Sequence, residues 1–354
     1  MTKKLIWKLH PGGMCNQLMS VEIALGISKW LNRKLVVVDD STERNIGTFS
    51  NEKTKTNLLS LFDFPQKIEW VRTGELDIEG SKSNYSHAIG GSVACVDNEF
   101  KKVDESFHPH GNQVKYFRDN FSDNIIVGFK TNDSLSYYNR FFYGDTADIF
   151  KHIRKIKVKS PYAKLARKIS KDIGSFNSIH MRLGDWTNFL YGGAVSDEAR
   201  IDRLLDAINS SLNIPSNRMV ISSNLRSDET IVFNRLRENF PDILILENFI
   251  EMNYSDELNK LPVYDKVVLG LLSALVCSEA ENFWGCIGST FTNFINRYRK
   301  DKPKYHDIMF FNIGNDPMQY DWDGSIKETE DGKYPWNRSK MQALGTWFFE
   351  YKEI

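Results

Sequence analysis

The sequence predicts an α/β layered fold in two domains, on three observations. Short apolar strands alternate with segments of helical period, first over residues 5–40 and again from about residue 160 onward. Glycine-containing turns separate strand from helix in both places. The 354 residues exceed what one core holds, since single cores stop growing near roughly 250–300 residues. Alternating strands and helices of this kind build open, mostly parallel sheets covered by helices.

The elements follow in order. Leu5 to Leu9 is a short apolar strand, broken by Pro11-Gly12-Gly13. From Asn16 to Leu31 apolar residues recur at helical spacing (Leu18, Val21, Leu25, Trp30), which predicts an amphipathic helix. Leu35-Val36-Val37-Val38 is a β-branched run ending at Asp39-Asp40, read as a buried parallel strand. Residues 41 to about 150 are rich in Asn, Asp, Ser and Phe, with short apolar pieces such as Ile125–Phe129, and elaborate the first domain. Ser160-Pro161 predicts a helix start, serine as cap and proline at the first helical position. Its Lys164, Arg167, Lys168 and Lys171 read as a solvated face. After Gly174 come a strand at 178–181, a helix near 200–212, and strands at 218–222 and 243–246. A helix from about 264 to 278, a strand at 282–284 and a helix opening at Ser289-Thr290 complete the series. The expected domains are 1–159 and 160–300, with the aromatic-rich segment 301–354 packing back on them.

Composition narrows the class. Apolar residues make up 41% and charged residues 26%, normal for a globular chain. With 46 basic against 46 acidic residues the net charge is zero, and the basic excess of a nucleic-acid binder is missing. The amino terminus lacks the apolar core of a signal peptide. The longest apolar run, Val267 to Cys277, is far short of the roughly 20 residues of a membrane span. Cys15, Cys95, Cys277 and Cys286 are scattered, without zinc-site or disulfide-frame spacing. A cytoplasmic protein is the expectation. A trimmed luminal domain is the alternative, and sequons such as Asn84, Asn132 and Asn337 are compatible with it.

Three segments carry residue types suited to chemistry. In His10-Pro11-Gly12-Gly13-Met14-Cys15-Asn16-Gln17, paired glycines between strand and helix let the backbone approach a ligand, and the helix start offers free amides to an anion. A tight turn is the structural alternative. Neither the dinucleotide glycine fingerprint nor a P-loop is present, so oxidoreductase and simple ATPase readings weaken. In Ile179 to Trp186 a strand runs out into a loop, with His180 and Arg182 alternating around Met181. Arg182 is a permanently charged planar fork suited to phosphate oxygens, or else half of a structural ion pair. In Phe283 to Thr292, glycines lead from a strand into a Ser289-Thr290 helix cap, an anion site or simply a capped helix. His108-Pro109-His110 lacks a third ligand and reads as a turn. Asp39-Asp40 reads as the end of a strand rather than a metal motif.

In this order and spacing the three segments resemble the GDP-fucose-dependent fucosyltransferase superfamily. Gly13-Met14-Cys15-Asn16-Gln17 looks like its Gly-x-x-Asn-Gln turn, and His180 to Asp185 like its His-x-Arg-x-Gly-Asp motif. Gly285 to Arg297, with Ser289-Thr290-Phe291-Thr292 and Ile295-Asn296-Arg297, is similar to the third motif of protein O-fucosyltransferases. The first two also resemble bacterial α1,2-fucosyltransferases. The resemblance covers chiefly residues 5–40 and 175–300. It implies a GT-B fold of two facing Rossmann-like domains, 1–159 on the acceptor side and 160–300 on the donor side. It implies an inverting transfer of fucose from GDP-fucose to a hydroxyl of a glycan or protein, with no metal and no further cofactor. Arg182 would contact the β-phosphate and His180 the nucleotide. Ser289, Thr290 and Phe291 would line the donor pocket, with Gly12, Gly13 and Asn16 facing the transferred sugar and acceptor. Asp185 is a candidate base for the acceptor hydroxyl, and Asp39 is another. The family commonly has an acidic residue in the helix before the third motif, at the position of Ser273 here, with Asp265 or Glu281 as the candidate substitute. A nucleotide-sugar-binding or lectin-like protein without catalysis is the alternative.

Overall fold

Three consecutive buried side chains, Leu5, Ile6 and Trp7, set the place of the first strand, because burial on both faces belongs to a central strand. The computed structural model describes residues 3–9, 13–39, 56–72, 92–95, 125–129, 156–181, 205, 218–223, 230–285, 289–299, 312–313 and 316–317. The chain divides into two compact units between Val158 and Lys159.

The first unit contains β1 (Lys4–Lys8), α1 (Met14–Trp30), β2 (Lys34–Val38), α2 (Leu58–Leu61), β3 (Phe62–Asp63), β4 (Glu69–Val71), β5 (Ser92–Cys95), β6 (Ile125–Phe129) and β7 (Lys157–Val158). Its main sheet has the order β4-β2-β1-β6-β5, parallel except for the antiparallel β5–β6 edge. β3 and β7 form a separate antiparallel pair. Ile6, Val36 and Val38 pack with Val71 into one apolar layer. The order reverses at β1, with β2 on one side and β6 on the other.

Helix α1 departs from the expected amphipathic pattern. Polar Gln17, Ser20, Glu22 and Ser28 are as buried as Leu18 and Leu25. For Ser20 and Ser28 the burial is offset by hydrogen bonds. Trp7 Nε1 donates to Ser20 (2.9 Å), and Ser28 donates to the Leu25 carbonyl (2.9 Å) while accepting from Gln66 (3.0 Å).

The second unit contains α3 (Ser160–Ile173), β8 (Asn177–Met181), β9 (Arg218–Ser223), α4 (Thr230–Asn239), β10 (Asp242–Ile245), α5 (Leu246–Asn253), α6 (Ser255–Asn259), α7 (Lys266–Glu279), β11 (Phe283–Trp284) and α8 (Thr290–Tyr298). A short hairpin, β12 (Asn312–Ile313) with β13 (Asp316–Pro317), follows. All four strands of its sheet are parallel, in the order β10-β9-β8-β11. This is the arrangement of half a doubly wound nucleotide-binding fold, with the reversal between β8 and β11. The expected helix near 200–212 lies outside the described residues except at Leu205, and segment 301–354 lies outside them except for the hairpin.

The sheet has two unlike faces. Ile179, Met181, Met219, Ile221 and Trp284 form an apolar layer with Leu236 and Phe240 on the α4 side. The alternate residues Ser178, His180 and Ser222 face the other way, toward α7, where Ser178 donates to the Cys277 carbonyl (3.2 Å). Helix α3 buries Tyr162, Leu165, Ala166, Ile169 and Ile173 at helical spacing and leaves its lysines exposed. Its cap is Lys159 rather than Ser160, with Pro161 one position further in than expected, and it ends on Gly174 at φ 84°. Arg299, just past α8, is buried and donates to the carbonyls of Ala280 (2.9 Å) and Glu281 (3.1 Å), with a longer reach to Cys277 (3.5 Å). It thereby holds α8 against the carboxyl end of α7, where a cation complements the helix dipole.

Candidate functional site

Strand order fixes where a ligand can meet backbone. In open parallel sheets the crevice opens beyond the carboxyl ends of the strands where the order reverses. In the first unit that place is the end of β1, where Gly13 serves as the cap of α1 and its carbonyl accepts from Gln17 N (3.0 Å). Met14, Cys15 and Asn16 form the first turn of α1, at the amino end of the helix dipole. Asn16 Oδ1 is buried with no hydrogen-bond partner. Gly12 lies outside the described residues. Asp39 ends β2 and is buried, its amide donating to the Val71 carbonyl (2.9 Å).

In the second unit the reversal brings together the second and third sequence segments. β8 and β11 are neighbours, with Trp284 opposite Ile179, so the chain leaves both strands side by side. His180, 5% exposed, shares a hydrogen bond through Nδ1 with Thr292 Oγ1 (2.8 Å) and packs against Phe291, the ring planes tilted by 42° and the centroids 4.7 Å apart. The partners stand 112 residues apart in sequence. Gly285 makes the approach possible: a Cβ there would stand 2.3 Å from Thr292 Cγ2 and 2.8 Å from its Oγ1. Arg182 and Asp185 follow β8 in the chain and lie outside the described residues.

Ser289 caps α8 by position only. Its side chain makes no cap hydrogen bond, is 0% exposed, and leaves Oγ without a partner, unlike the capped helix that was the structural alternative. An unused hydroxyl at the start of a nine-residue helix, beside its first-turn amides, is an arrangement suited to an anion. Thr290 and Phe291, the first helical residues, are partly exposed.

The expected acidic substitutes for Ser273 serve elsewhere. Asp265 caps α7, accepting from the amides of Val267 (2.9 Å) and Val268 (3.2 Å). Glu281 lies before β11, at the amino edge of the sheet, where it accepts from Ser175. The acid that approaches Ser273 is Glu247, in the first turn of α5, whose Oε1 accepts from Ser222 (2.6 Å). Burial pushes its carboxyl above the usual range, against the Ser222 hydrogen bond and nearby Ser273. Burial also raises the Cys277 thiol, and the Glu247 charge adds to this. Sequence alone gave no sign of Glu247, because its place depends on how β9, α5 and α7 meet. Among the described residues no group of three His, Cys, Asp or Glu gathers as a metal site, and no helix is long and apolar enough to cross a membrane.

No protein-family model matches the chain, and no curated protein matches it in sequence. Among solved structures it is similar to the fucosyltransferase NodZ from Bradyrhizobium, at 13% identity over 84% of this chain and 93% of that one, with a TM-score of 0.46. It is similar to NodZ α-1,6-fucosyltransferase co-crystallized with GDP, at 13% identity over 92% of this chain and 98% of that one, TM-score 0.47. It is also similar to POFUT1 in complex with GDP-fucose, at 14% identity over 85% of this chain and 96% of that one, TM-score 0.49.

Proposed function

We propose that the second unit holds the diphosphate of a nucleotide sugar at the carboxyl ends of β8 and β11, and that the chain is an inverting, metal-independent fucosyltransferase using GDP-fucose. The observation that carries the reading is the junction of His180 with Thr292 and Phe291 beside the unpartnered Ser289 hydroxyl at the start of α8. It joins the two sequence segments that resemble donor-binding motifs, at a reversal point of a parallel sheet.

The chemistry follows from charge. An acceptor hydroxyl oxygen of a glycan or protein forms the new bond to the sugar carbon while the bond from that carbon to the diphosphate breaks. Negative charge grows on the departing GDP, and the hydroxyl proton passes to a base, for which Asp185 and Asp39 are the candidates. Arg182, one residue beyond β8, takes the β-phosphate, and the α8 amides with Ser289, Thr290 and Phe291 complete the cradle. His180 orients the nucleotide through its contacts with Thr292 and Phe291. On the family resemblance we assign Gly12, Gly13 and Asn16, in the first unit, to the transferred sugar and the acceptor.

The test is incubation of the chain with GDP-fucose and a panel of glycan and protein acceptors, following release of GDP and labelled product. Transfer by the native chain, lost in Arg182→Ala at unchanged melting temperature, is the expected result. Near-normal turnover in that variant would overturn the assignment. Protection of the donor without its consumption would point instead to a binding protein.

A further inference from the structure

The charge of the chain is balanced in total and uneven in place. Nine of its 46 basic residues, and none of its 46 acidic ones, fall in the 21 residues from Lys151 to Lys171. The remainder of the chain therefore carries an acidic excess of nine. A block of like charge repels itself, and a fold that holds it together on one side offers a field to a partner of opposite sign.

Helix α3 carries the last four of the nine. Lys164, Arg167, Lys168 and Lys171 stand at i, i+3, i+4 and i+7, so they form one stripe about 10 Å long on one side of the helix. All four are exposed, while the opposite side of α3 is buried from Tyr162 to Ile173. Lys168 is engaged: it pairs with Glu257 of α6 and lies 5.4 Å from the centre of the Tyr254 ring. Asp172, the next acid in the chain, is itself taken by the Tyr254 hydroxyl (2.7 Å). Among the described residues no carboxylate pairs with Lys164, Arg167 or Lys171.

We infer that the α3 stripe docks the protein on an anionic lipid surface, by charge and without insertion. Seven of the nine cations in the block are lysines, compact charges that suit a diffuse negative surface, whereas the arginine fork suits fixed pairs of oxygens. The large apolar side chains exposed among the described residues are Met252 and Tyr264, and neither is on α3. The stripe therefore lacks the apolar or aromatic anchor found at the centre of a protein interface. It also lacks an aromatic platform for the bases of a single-stranded nucleic acid, because Tyr162 is 0% exposed. The acidic remainder of the chain is repelled by the same lipid surface, which turns α3 toward it. Each cation held near an anionic leaflet strengthens the partition by about fivefold. None of the four residues belongs to the donor site, so docking is expected whether or not a nucleotide binds there.

The experiment is co-sedimentation of the full chain with vesicles of phosphatidylcholine alone and of phosphatidylcholine mixed with phosphatidylserine. The native chain is expected to bind only the mixed vesicles at about 0.05 M salt and to leave them by about 0.5 M, as screening shortens the reach of exposed charge. Lys164→Gln, Arg167→Gln and Lys171→Gln together should weaken binding about a hundredfold at an unchanged melting temperature, since all three side chains are exposed. Lys3→Gln, Lys67→Gln and Arg237→Gln together remove the same charge from exposed positions elsewhere and should weaken it by less than about fivefold. No binding to the mixed vesicles, equal binding to both kinds, or equal losses in the two triple variants would overturn the proposal. Tighter binding of the native chain to polyglutamate or to duplex DNA than to mixed vesicles of matched charge would assign the stripe to a macromolecule instead, and would overturn it too.

Discussion

Gly285→Ala is the substitution whose cost can be worked most directly from the structure. The added Cβ would stand 2.3 Å from Thr292 Cγ2, 2.8 Å from Thr292 Oγ1 and 3.0 Å from Phe283 Cε1. Carbon atoms prefer about 3.5–4.0 Å, so a gap of more than about 1 Å must open. Phe283 is fully buried and Thr292 is a β-branched residue on a helix, with little rotamer freedom to yield. Either α8 retreats or Thr292 rotates, and both break its 2.8 Å contact with His180. Overpacking costs about 1–3 kcal/mol and the lost hydrogen bond about 1 kcal/mol, together about 2–4 kcal/mol. For a unit of this size that lowers the melting temperature by roughly 5–15 °C. Urea unfolding of the native chain, Gly285→Ala, Thr292→Ser and the double variant closes a cycle. Thr292→Ser removes the closest clashing atom, so the double variant should recover at least about 1 kcal/mol relative to additivity. A Gly285→Ala variant within about 0.5 kcal/mol of native stability, or a strictly additive cycle, would refute the reasoning.

Other consequences are as specific. Arg299→Met keeps volume but strips the last carbonyls of α7 of a buried cationic donor. It should cost about 2–4 kcal/mol in urea unfolding, and a loss under about 0.5 kcal/mol would show the clamp to be idle. Glu247 has its folded carboxyl raised by burial and faces Ser222, Ser273 and Cys277. A raised value contributes stability that is present below the ordinary value of 4.5 and lost as pH rises through the folded one. Glu247→Gln should therefore be at least as stable as the native chain at about pH 7.5, with the difference closing on acidification, and a less stable variant at that pH would contradict the sign. Arg182→Ala should lower transfer by about 10²–10³ with no change in melting temperature, and assay of purified variants by GDP release decides it.

The second strand was legible in the sequence as a β-branched run ending at acidic residues, Leu35–Val38 before Asp39-Asp40. The helix face of α3 was legible from its spacing, although proline drew the cap one residue too late. The burial of Ser20 and Ser28 was not, because their partners Trp7 and Gln66 come from other chain segments. The site divides in the same way. Gly-rich turns and the Ser289-Thr290 helix start announce themselves locally, so the places where strands hand over to helices could be read. The pairing of His180 with Thr292 spans 112 residues and depends on β8 and β11 lying side by side, which no local pattern encodes. Glu247 was invisible for the same reason: its meaning arises from Ser222 on β9 and Ser273 on α7. Counting along the chain landed on Ser273, and the nearby acids Asp265 and Glu281 cap a helix and tie down the opposite edge of the sheet.

Hydrogen–deuterium exchange with and without GDP tests the donor site most directly. Bound diphosphate would occupy the first-turn amides of α8 and the corner around His180. The account predicts slowed exchange at Thr290 to Thr292 and at the end of β8 on adding GDP, weakened in Arg182→Ala. Unchanged exchange there, with protection confined to the turn before α1 or to no segment at all, would contradict it.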